Sequence, residues 1–204
     1  SVPLIMDNTF ATPILCKPFQ FGADIVVHST TKYMDGHAVQ VGGVIVDSGK
    51  FDWAGGNFPE LTKPDESYHG IIYTEAYGKA AYITKARMQL MRDFGMYPAA
   101  HSAFLLNLSL ETLAVRMRQY CANAMKVAEF LKNQPEIAHI TYPGLPDDVN
   151  HAKAEKYLKG SSGVISLIIR GGKPKAIKFM NSLKLASNEV HVADIRTCVL
   201  HPAS

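Results

Sequence analysis

The first quarter of the chain alternates short apolar runs with turn-forming residues. Apolar runs cover residues 2–7, 24–28 and 41–46, and the segment 18–23 between the first two fits a short helix. Continuous apolar runs of this length are typical of strands inside a parallel or mixed sheet, where both faces are covered. The pattern therefore predicts a strand–helix–strand unit followed by a third strand.

The middle of the chain changes from a long irregular segment to helices. Residues 49–74 are rich in Gly, Pro and aromatic side chains, and this segment is too long for an ordinary connection. We expect it either to have a functional role or to pack as a contact between elements or subunits. Apolar residues then recur three and four positions apart over 76–93 and over 99–131, which predicts helices, and Pro135 lies just beyond the second one.

Beyond Pro135 short strands and helices alternate. The pattern predicts a strand with a turn over 139–144, a helix over 151–158, a strand over 163–169 and a helix over 175–183. This alternation is typical of a small α+β unit. The long helix before it predicts that the two parts of the chain are joined through that helix.

Composition and charge narrow the class of protein. The 204 residues are 47% hydrophobic, which is enough for a sizeable core, and the net charge of +3 comes from interspersed acidic and basic residues. Without a basic stripe, nucleic-acid binding is not expected. Three cysteines lie far apart with no CxxC pair, which argues against a disulfide scaffold and a metal site and favours a reducing cytoplasm. No apolar stretch approaches the roughly 18 residues of a membrane span, and no signal peptide is visible.

A lysine follows the second predicted strand in the segment DIVVHSTTKYMDGH, residues 24–37. Hydroxyl groups and loop amides at a strand end suit a phosphate group. Lys32, beside them, can form a Schiff base with an aldehyde when its amine is kept neutral. The alternative for Lys32 alone is a solvated surface lysine.

Asp7 closes the first predicted strand. If the first two strands are neighbours, Asp7 and Lys32 emerge at the same sheet edge, where ligands of open α/β sheets bind. A carboxylate there can pair with a protonated pyridine nitrogen and so maintain an electron sink. The alternative is an aspartate that caps the turn before Asn8.

The segment around Lys32 resembles the lysine-attachment signature of the Cys/Met-metabolism pyridoxal-phosphate enzymes. The matching positions are Asp24-Ile25, then Ser29 through Met34, then Gly36-His37. Three further segments are similar to the same family, so that the resemblance spans essentially the whole chain. They are MDNTFATP at residues 6–13, the predicted connecting helix at 108–131 and the terminal HPAS.

The resemblance implies a cofactor, pyridoxal 5'-phosphate, and a role for each site residue. Lys32 would bind the cofactor covalently and act as base and acid, while Asp7 would pair with the pyridine nitrogen. Ser29 and Thr31 would contact the phosphate, and Thr9 would lie near the ring.

The resemblance also implies an α/β, aspartate-aminotransferase-like (fold type I) transferase. Residues 1–113 would be the C-terminal part of the large cofactor-binding domain, and 114–204 the N-terminal part of a small α+β domain. Since the chain does not begin with Met and both ends look cut, we expect it to be a piece of a longer polypeptide. The family's N-terminal part is absent, as is the substrate-binding arginine expected after Ser204.

The long segment at residues 55–73 resembles the sulfhydrylase branch of the family. The implied reaction is a γ-replacement, in which a sulfur nucleophile displaces the acyl group of an O-acylated homoserine and gives homocysteine for methionine biosynthesis. Two alternatives stay open: a cystathionine γ-synthase or γ-lyase reaction on the same fold, and a non-catalytic or truncated chain that binds no cofactor.

The resemblance also extends to substrate contacts and assembly. Counting back from His201 places His191 where the family binds the substrate carboxylate, although a histidine with ordinary partners in a strand is the alternative. The implied partners are an amino-acid substrate and a sulfur donor. The implied assembly is a homotetramer built of dimers whose sites are shared between subunits.

Overall fold

The structure, a computed structural model, describes residues 1–202. Ala203 and Ser204, the last residues of the HPAS segment and of the predicted second domain, lie outside the described residues. The described strands are Ile5–Asp7 (β1), Ile25–Ser29 (β2), Gly43–Asp47 (β3), Ile137–Thr141 (β4), Ser166–Ile169 (β5), Ser187–Asn188 (β6) and Cys198–Val199 (β7). The described α-helices are Thr12–Leu15 (α1), Pro59–Thr62 (α2), Tyr73–Tyr77 (α3), Ala81–Lys85 (α4), Arg92–Phe94 (α5), Ala100–Glu111 (α6), Leu113–Lys132 (α7), His151–Tyr157 (α8) and Gly172–Ser182 (α9).

The N-terminal sheet has the order β1-β2-β3 and is mixed, as the apolar runs predict. β1 and β2 are parallel, with Ile5 opposite Ile25 and Asp7 opposite Val27. β2 and β3 are antiparallel, with Ser29 opposite Gly43. β2 is the central strand, and Ile25 within it is fully buried. The predicted helix between β1 and β2 is a 3₁₀ helix at Pro18–Phe21.

The helical segments are more broken than the periodicity predicts. The region predicted as one helix over 76–93 consists of short α-helices separated by a 3₁₀ turn at Gly78–Ala80 and a π-helical stretch at Ala86–Met91. The region over 99–131 is two helices, because the chain turns at Thr112 between α6 and α7. The amide of Thr112 bonds the Ser109 carbonyl three residues back, which tightens the last turn of α6.

The long segment at residues 49–74 contributes to the core. Trp53, Leu61 and Tyr73 are buried against Ile25 of β2 and Ala81 of α4. Trp53 also stacks on Tyr82, with ring centroids 5.0 Å apart. These contacts support the packing interpretation of the segment. Its GGNFPELTKPDESYHG part also contains a short 3₁₀ helix at Glu66–Tyr68.

A second hydrophobic cluster joins segments that are distant in sequence. Its buried members come from α1, the loop after β2, helix α7 and the loop between β6 and β7; they are Leu15, Tyr33, Met34, Leu113, Met117 and Ala193. The cluster therefore crosses the predicted boundary between residues 113 and 114. The two-domain division stays a prediction.

A further cluster buries the second half of α7 against the segment after β4. Its members are Ala124, Ala128, Tyr142 and Leu145. β4 and β5 form an antiparallel pair beside it. Within residues 1–202, no helix is both long enough and apolar enough to cross a bilayer.

Met117 should be a stability determinant because it lies at the centre of the cluster that joins α7 to the loop after β2. It is fully buried, whereas Val115 on the same helix is 62% exposed. We expect Met117→Ala to lower the free energy of unfolding by about 2–5 kcal/mol through lost burial and a cavity. Val115→Ala should change it by less than about 0.5 kcal/mol. Chemical denaturation of both variants measures the difference, and equal effects would show that this cluster does not hold the two segments together.

Candidate functional site

The carboxyl ends of β1 and β2 lie side by side because the two strands are parallel. Asp7 is the last residue of β1 and pairs in register with Val27. Ser29 ends β2 two residues further on, and the chain then enters the loop that carries Lys32. Asp7 and Lys32 therefore follow adjacent strand ends at one sheet edge, as the sequence predicts.

Thr9 links the two strand ends. Its buried hydroxyl accepts a hydrogen bond from the Ser29 amide at 2.8 Å, and its own amide donates to Asp7 Oδ1 at 2.9 Å. The Thr9 hydroxyl also hydrogen-bonds the Asp7 carboxylate, and these two contacts are the main reasons why the pKa of Asp7 lies below its ordinary value. Partial burial opposes them. Thr9 thus keeps an exposed carboxylate ionised at the edge.

Asn8 shapes the turn that presents Thr9. Its side-chain amide donates to the carbonyls of Thr12 and Cys16, both at 3.1 Å. The neighbouring His28 is buried on β2, and burial lowers its pKa, so that the ring is mostly neutral near pH 7. Of these two neighbours, Asp7 is therefore the one that is charged near pH 7.

Lys32 and Ser29 have side chains that are free to bind a ligand. Lys32 is half-buried, and within residues 1–202 its ammonium group has no hydrogen-bond or ion-pair partner. The same holds for the Ser29 hydroxyl in the described part of the chain, although the Ser29 amide is bonded to Thr9. A hydroxyl at the end of β2 and an amine on the loop that follows therefore have open hydrogen-bonding capacity.

Thr31 differs from Ser29 because its hydroxyl is already engaged. It accepts from the Gly42 amide at 3.0 Å and donates to the Gly42 carbonyl at 3.3 Å. A hydroxyl has a single proton to donate. Thr31 can donate to a phosphate only after releasing the Gly42 carbonyl, and its predicted role as a phosphate ligand stays a prediction.

The loop after Lys32 is folded around a buried carboxylate that sequence reasoning missed. Asp35 is fully buried, and its Oδ2 accepts from the amides of Val39 at 3.1 Å and His37 at 3.4 Å. The Gly36 amide also donates a hydrogen bond to the Lys32 carbonyl at 2.8 Å. An acidic residue four positions before a β-branched one gives no local signal of such a turn.

Three distant segments hold the same loop, and sequence reasoning missed these contacts as well. Arg116 of α7 donates to the Tyr33 carbonyl at 2.7 Å. The Tyr33 hydroxyl accepts from the Gly163 amide at 3.1 Å, and the Ile195 amide donates to the Gly36 carbonyl at 2.8 Å. One signal was present: Arg116 falls on the same helical face as Leu113 and Met117, and a charged residue on a buried face requires polar partners.

His191 lies in the loop between β6 and β7 and not in a strand. Its Nε2 is buried without a hydrogen bond among the described residues and lies 3.8 Å from Asp194 Oδ2. Arg196 already donates to Asp194 from its amide and guanidinium at 2.6, 2.7 and 3.2 Å. The loop reaches the Lys32 loop through Ile195. The predicted substrate contact of His191 stays a prediction.

This chain is similar to known proteins of one family. A family model described as Cys/Met metabolism PLP-dependent enzyme matches residues 1–204. An O-acetyl-L-homoserine sulfhydrylase of Leptospira meyeri is 43% identical over 213 residues, covering 100% of this chain and 48% of the relative. A homocysteine synthase of Schizosaccharomyces pombe is 45% identical over 206 residues, covering 99% and 48% respectively. The chain spans about half the length of the curated relatives it matches.

Two solved structures are similar to this one. The first, from Campylobacter jejuni, is described as an O-acetylhomoserine (thiol)-lyase and contains N'-pyridoxyl-lysine-5'-monophosphate. It has a TM-score of 0.93 and 32% identity, with 99% of this chain and 49% of that chain covered. The second, metB from Corynebacterium glutamicum, has a TM-score of 0.77 and 34% identity, with 99% and 44% covered.

Removing the Thr9 hydroxyl should raise the pKa of Asp7. In Thr9→Val the Asp7 carboxylate keeps the amide of residue 9 but loses the hydroxyl, so its pKa should rise part of the way towards 3.8, its ordinary value. The buried valine also leaves the Ser29 amide without its acceptor, which should cost about 1–3 kcal/mol of stability. Carboxyl-detected NMR titration gives the pKa, and Thr9→Ser is the control that keeps the hydroxyl.

The sign of the pH effect follows from the lowered pKa. Asp7 contributes stability that is fully present above its unfolded pKa and is lost as the pH falls through the lower folded value. In Thr9→Val this contribution should be smaller at neutral pH. An Asp7 pKa that is identical in the wild type and in Thr9→Val would contradict the link between the two strand ends.

Proposed function

Since the chain belongs to the Cys/Met metabolism family of PLP-dependent enzymes, we propose that it is part of an enzyme that performs γ-replacement on an O-acylated homoserine. The sulfur nucleophile displaces the acyloxy group from the γ carbon, so that homocysteine and a free carboxylate are formed. The names of the relatives support this reaction, because they are O-acetyl-L-homoserine sulfhydrylase and homocysteine synthase. The solved relatives confirm the predicted α/β fold of a PLP-dependent transferase, of which this chain forms a part.

The observation that carries the proposal is that Asp7, Ser29 and Lys32 lie at, or shortly after, the carboxyl ends of the parallel strands β1 and β2. Pyridoxal phosphate needs an amine for its aldehyde, an anion for its pyridine nitrogen and donors for its phosphate. The Lys32 amine and the Ser29 hydroxyl, which have no partner within residues 1–202, and the ionised Asp7 carboxylate supply these groups. The residues present therefore fit the family's cofactor.

Each residue has a distinct proposed role. Lys32 Nζ binds the cofactor covalently and, once released by substrate, takes the proton from the substrate Cα. Asp7 pairs with the pyridine nitrogen and keeps it protonated, and Thr9 holds Asp7 in place near the ring. Ser29 binds the phosphate, joined by Thr31 if Thr31 gives up the Gly42 carbonyl. When bound, pyridoxal phosphate supplies the electron sink that stabilises negative charge at Cα.

The proposal extends to the substrate contact and the assembly. His191 contacts the substrate carboxylate. This role is supported by its Nε2, which has no hydrogen bond within residues 1–202, and by the contact of its loop with the Lys32 loop. The enzyme acts on an amino-acid substrate and a sulfur donor in the cytoplasm. It works as a homotetramer built of dimers that share their sites, as the family resemblance implies.

The choice of sulfur nucleophile separates the proposal from its alternatives. In steady-state assays of the full-length protein with an O-acylated homoserine, sulfide should give homocysteine faster than cysteine gives cystathionine. A faster reaction with cysteine, or elimination without any added nucleophile, would favour the synthase or γ-lyase alternative instead.

Lys32 should be the residue that carries the cofactor. Borohydride reduction of the full-length protein with pyridoxal phosphate should leave a pyridoxyl adduct on the Lys32 peptide in mass spectrometry. Lys32→Ala and Lys32→Arg should lose both the adduct and turnover, since a guanidinium stays protonated and forms no imine. Lys50→Ala, an exposed lysine away from the site, is the control and should keep both. An adduct on another lysine would contradict the assignment, and no adduct at all would favour the cofactor-free alternative.

Asp7→Asn should keep part of the cofactor binding but lose most of the rate. An amide does not keep the pyridine nitrogen protonated, so the charge formed at Cα is poorly delocalised. Each tenfold fall in kcat corresponds to about 1.4 kcal/mol of barrier. Steady-state kinetics together with a cofactor titration separate the two effects, and an unchanged kcat would remove Asp7 from this role.

A further inference from the structure

Arg116 makes an unusual set of contacts around the Lys32 loop. Its Nη1 donates to the Tyr33 carbonyl at 2.7 Å, and its Nη2 lies 3.4 Å from the Met34 carbonyl. Nη2 also donates to the Ser109 carbonyl at 2.9 Å, and Nε donates to Thr112 Oγ1 at 3.0 Å. The first two acceptors are the main-chain carbonyls that directly follow Lys32.

The guanidinium bonds mainly to backbone carbonyls and not to a charged group. Within residues 1–202, Arg116 has no ion pair with a carboxylate. Hydrogen bonds from a charged donor are stronger than those between neutral groups, and the planar fork of arginine can bridge two carbonyls at fixed geometry. The hydrogen bonds of Arg116 therefore connect the Lys32 loop to the junction between α6 and α7.

Gly36 shows how closely the guanidinium approaches the loop. A Cβ added at Gly36 would collide with Arg116 Nη1 and would lie 2.9 Å from its Cζ. The Gly36 amide closes the turn that begins at the Lys32 carbonyl. Arg116 thus covers the turn of which Lys32 is the first residue.

Apolar packing around this contact holds helix α7 against the loop. Leu113 and Met117 on the same face of α7 are buried against Tyr33 and Met34. The hydrophobic contacts bring the helix to the loop, and the guanidinium then sets the positions of two particular carbonyls. Apolar packing alone does not fix such positions, because it is not directional.

We propose that Arg116 is a positioning residue for Lys32. By holding the carbonyls of Tyr33 and Met34, it keeps the main chain of residue 32 fixed just after the carboxyl end of β2, and so sets the region that Nζ can reach. The inference rests on the proposed function, in which Lys32 binds the cofactor and moves the Cα proton. A misplacement of about 1 Å can cost about 100-fold in rate.

The test compares Arg116→Ala, Arg116→Lys and Arg118→Ala in the full-length holoenzyme. Arg118 lies two residues along the same helix and is exposed, so Arg118→Ala should match the wild type. In Arg116→Ala, kcat should fall about 10- to 100-fold while KM changes little, at a temperature where circular dichroism shows a folded protein. Arg116→Lys should recover only part of kcat, because an ammonium is a point charge that does not bridge two carbonyls in a fixed plane.

Chemical rescue separates positioning from general stability. Guanidinium chloride at a non-denaturing concentration should raise the kcat of Arg116→Ala several-fold and leave Arg118→Ala unchanged, while methylammonium chloride at equal ionic strength should rescue less. A wild-type kcat in folded Arg116→Ala overturns the proposal, as does a loss that guanidinium does not restore. If Arg116→Ala does not fold, Arg116→Lys decides: a reduced kcat supports the proposal and a wild-type kcat overturns it.

The borohydride adduct distinguishes this proposal from the one on which it rests. If wild-type Lys32 carries the pyridoxyl adduct but the Arg116 variants keep wild-type kcat, only the positioning role fails. If wild-type Lys32 carries no adduct, both proposals fail together.

Discussion

The candidate site depends on the contacts that hold the main chain after β2 in place. Residues 30–39 have no regular helix or strand, so their position depends on the packing of Tyr33 and Met34 and on hydrogen bonds to other segments. The Gly42 amide donates a hydrogen bond to the Thr31 hydroxyl. The Arg116 guanidinium donates to the Tyr33 carbonyl, and the Ile195 amide donates to the Gly36 carbonyl. These contacts come from three separate parts of the chain. Among the described residues the Lys32 side chain has no partner, while hydrogen bonds fix the backbone around it. A reactive amine with a defined location needs both.

The sheet edge was predictable because its signals are local. A short apolar run that ends in Asp7 and another that ends in a Ser/Thr segment are visible within a few residues, and the family signature around Lys32 is contiguous. The hydrogen bonds from distant segments to the loop after β2 were not predictable in the same way. Periodicity shows that Leu113 and Met117 face the core, but it does not show which carbonyls Arg116 reaches 82 and 83 residues away.

The remaining differences between prediction and structure have similar causes. The turn at Thr112 breaks a helix whose apolar period continues through it, because side-chain bonds around Arg116 and Ser109 outweigh propensity there. His191 lies between Val190 and Val192, a strand-like local pattern, but it is in a loop that turns towards Asp194. The Thr31 hydroxyl is engaged by Gly42, which a motif cannot reveal. In each case a polar contact between specific atoms decided the outcome.

The electrostatics of the edge agree with the proposed chemistry. Thr9 stabilises the charged form of Asp7, and the neighbouring His28 is mostly neutral near pH 7. The Asp7 carboxylate is therefore ionised at the carboxyl end of β1, where the cofactor is proposed to bind. A crystal structure of the full-length protein with pyridoxal phosphate tests the central claim most directly. We expect continuous density from Lys32 Nζ to the cofactor, with an Asp7 carboxylate oxygen about 2.7–2.9 Å from the pyridine nitrogen. Cofactor density joined to another residue, or a pyridine nitrogen that faces away from Asp7, would contradict it.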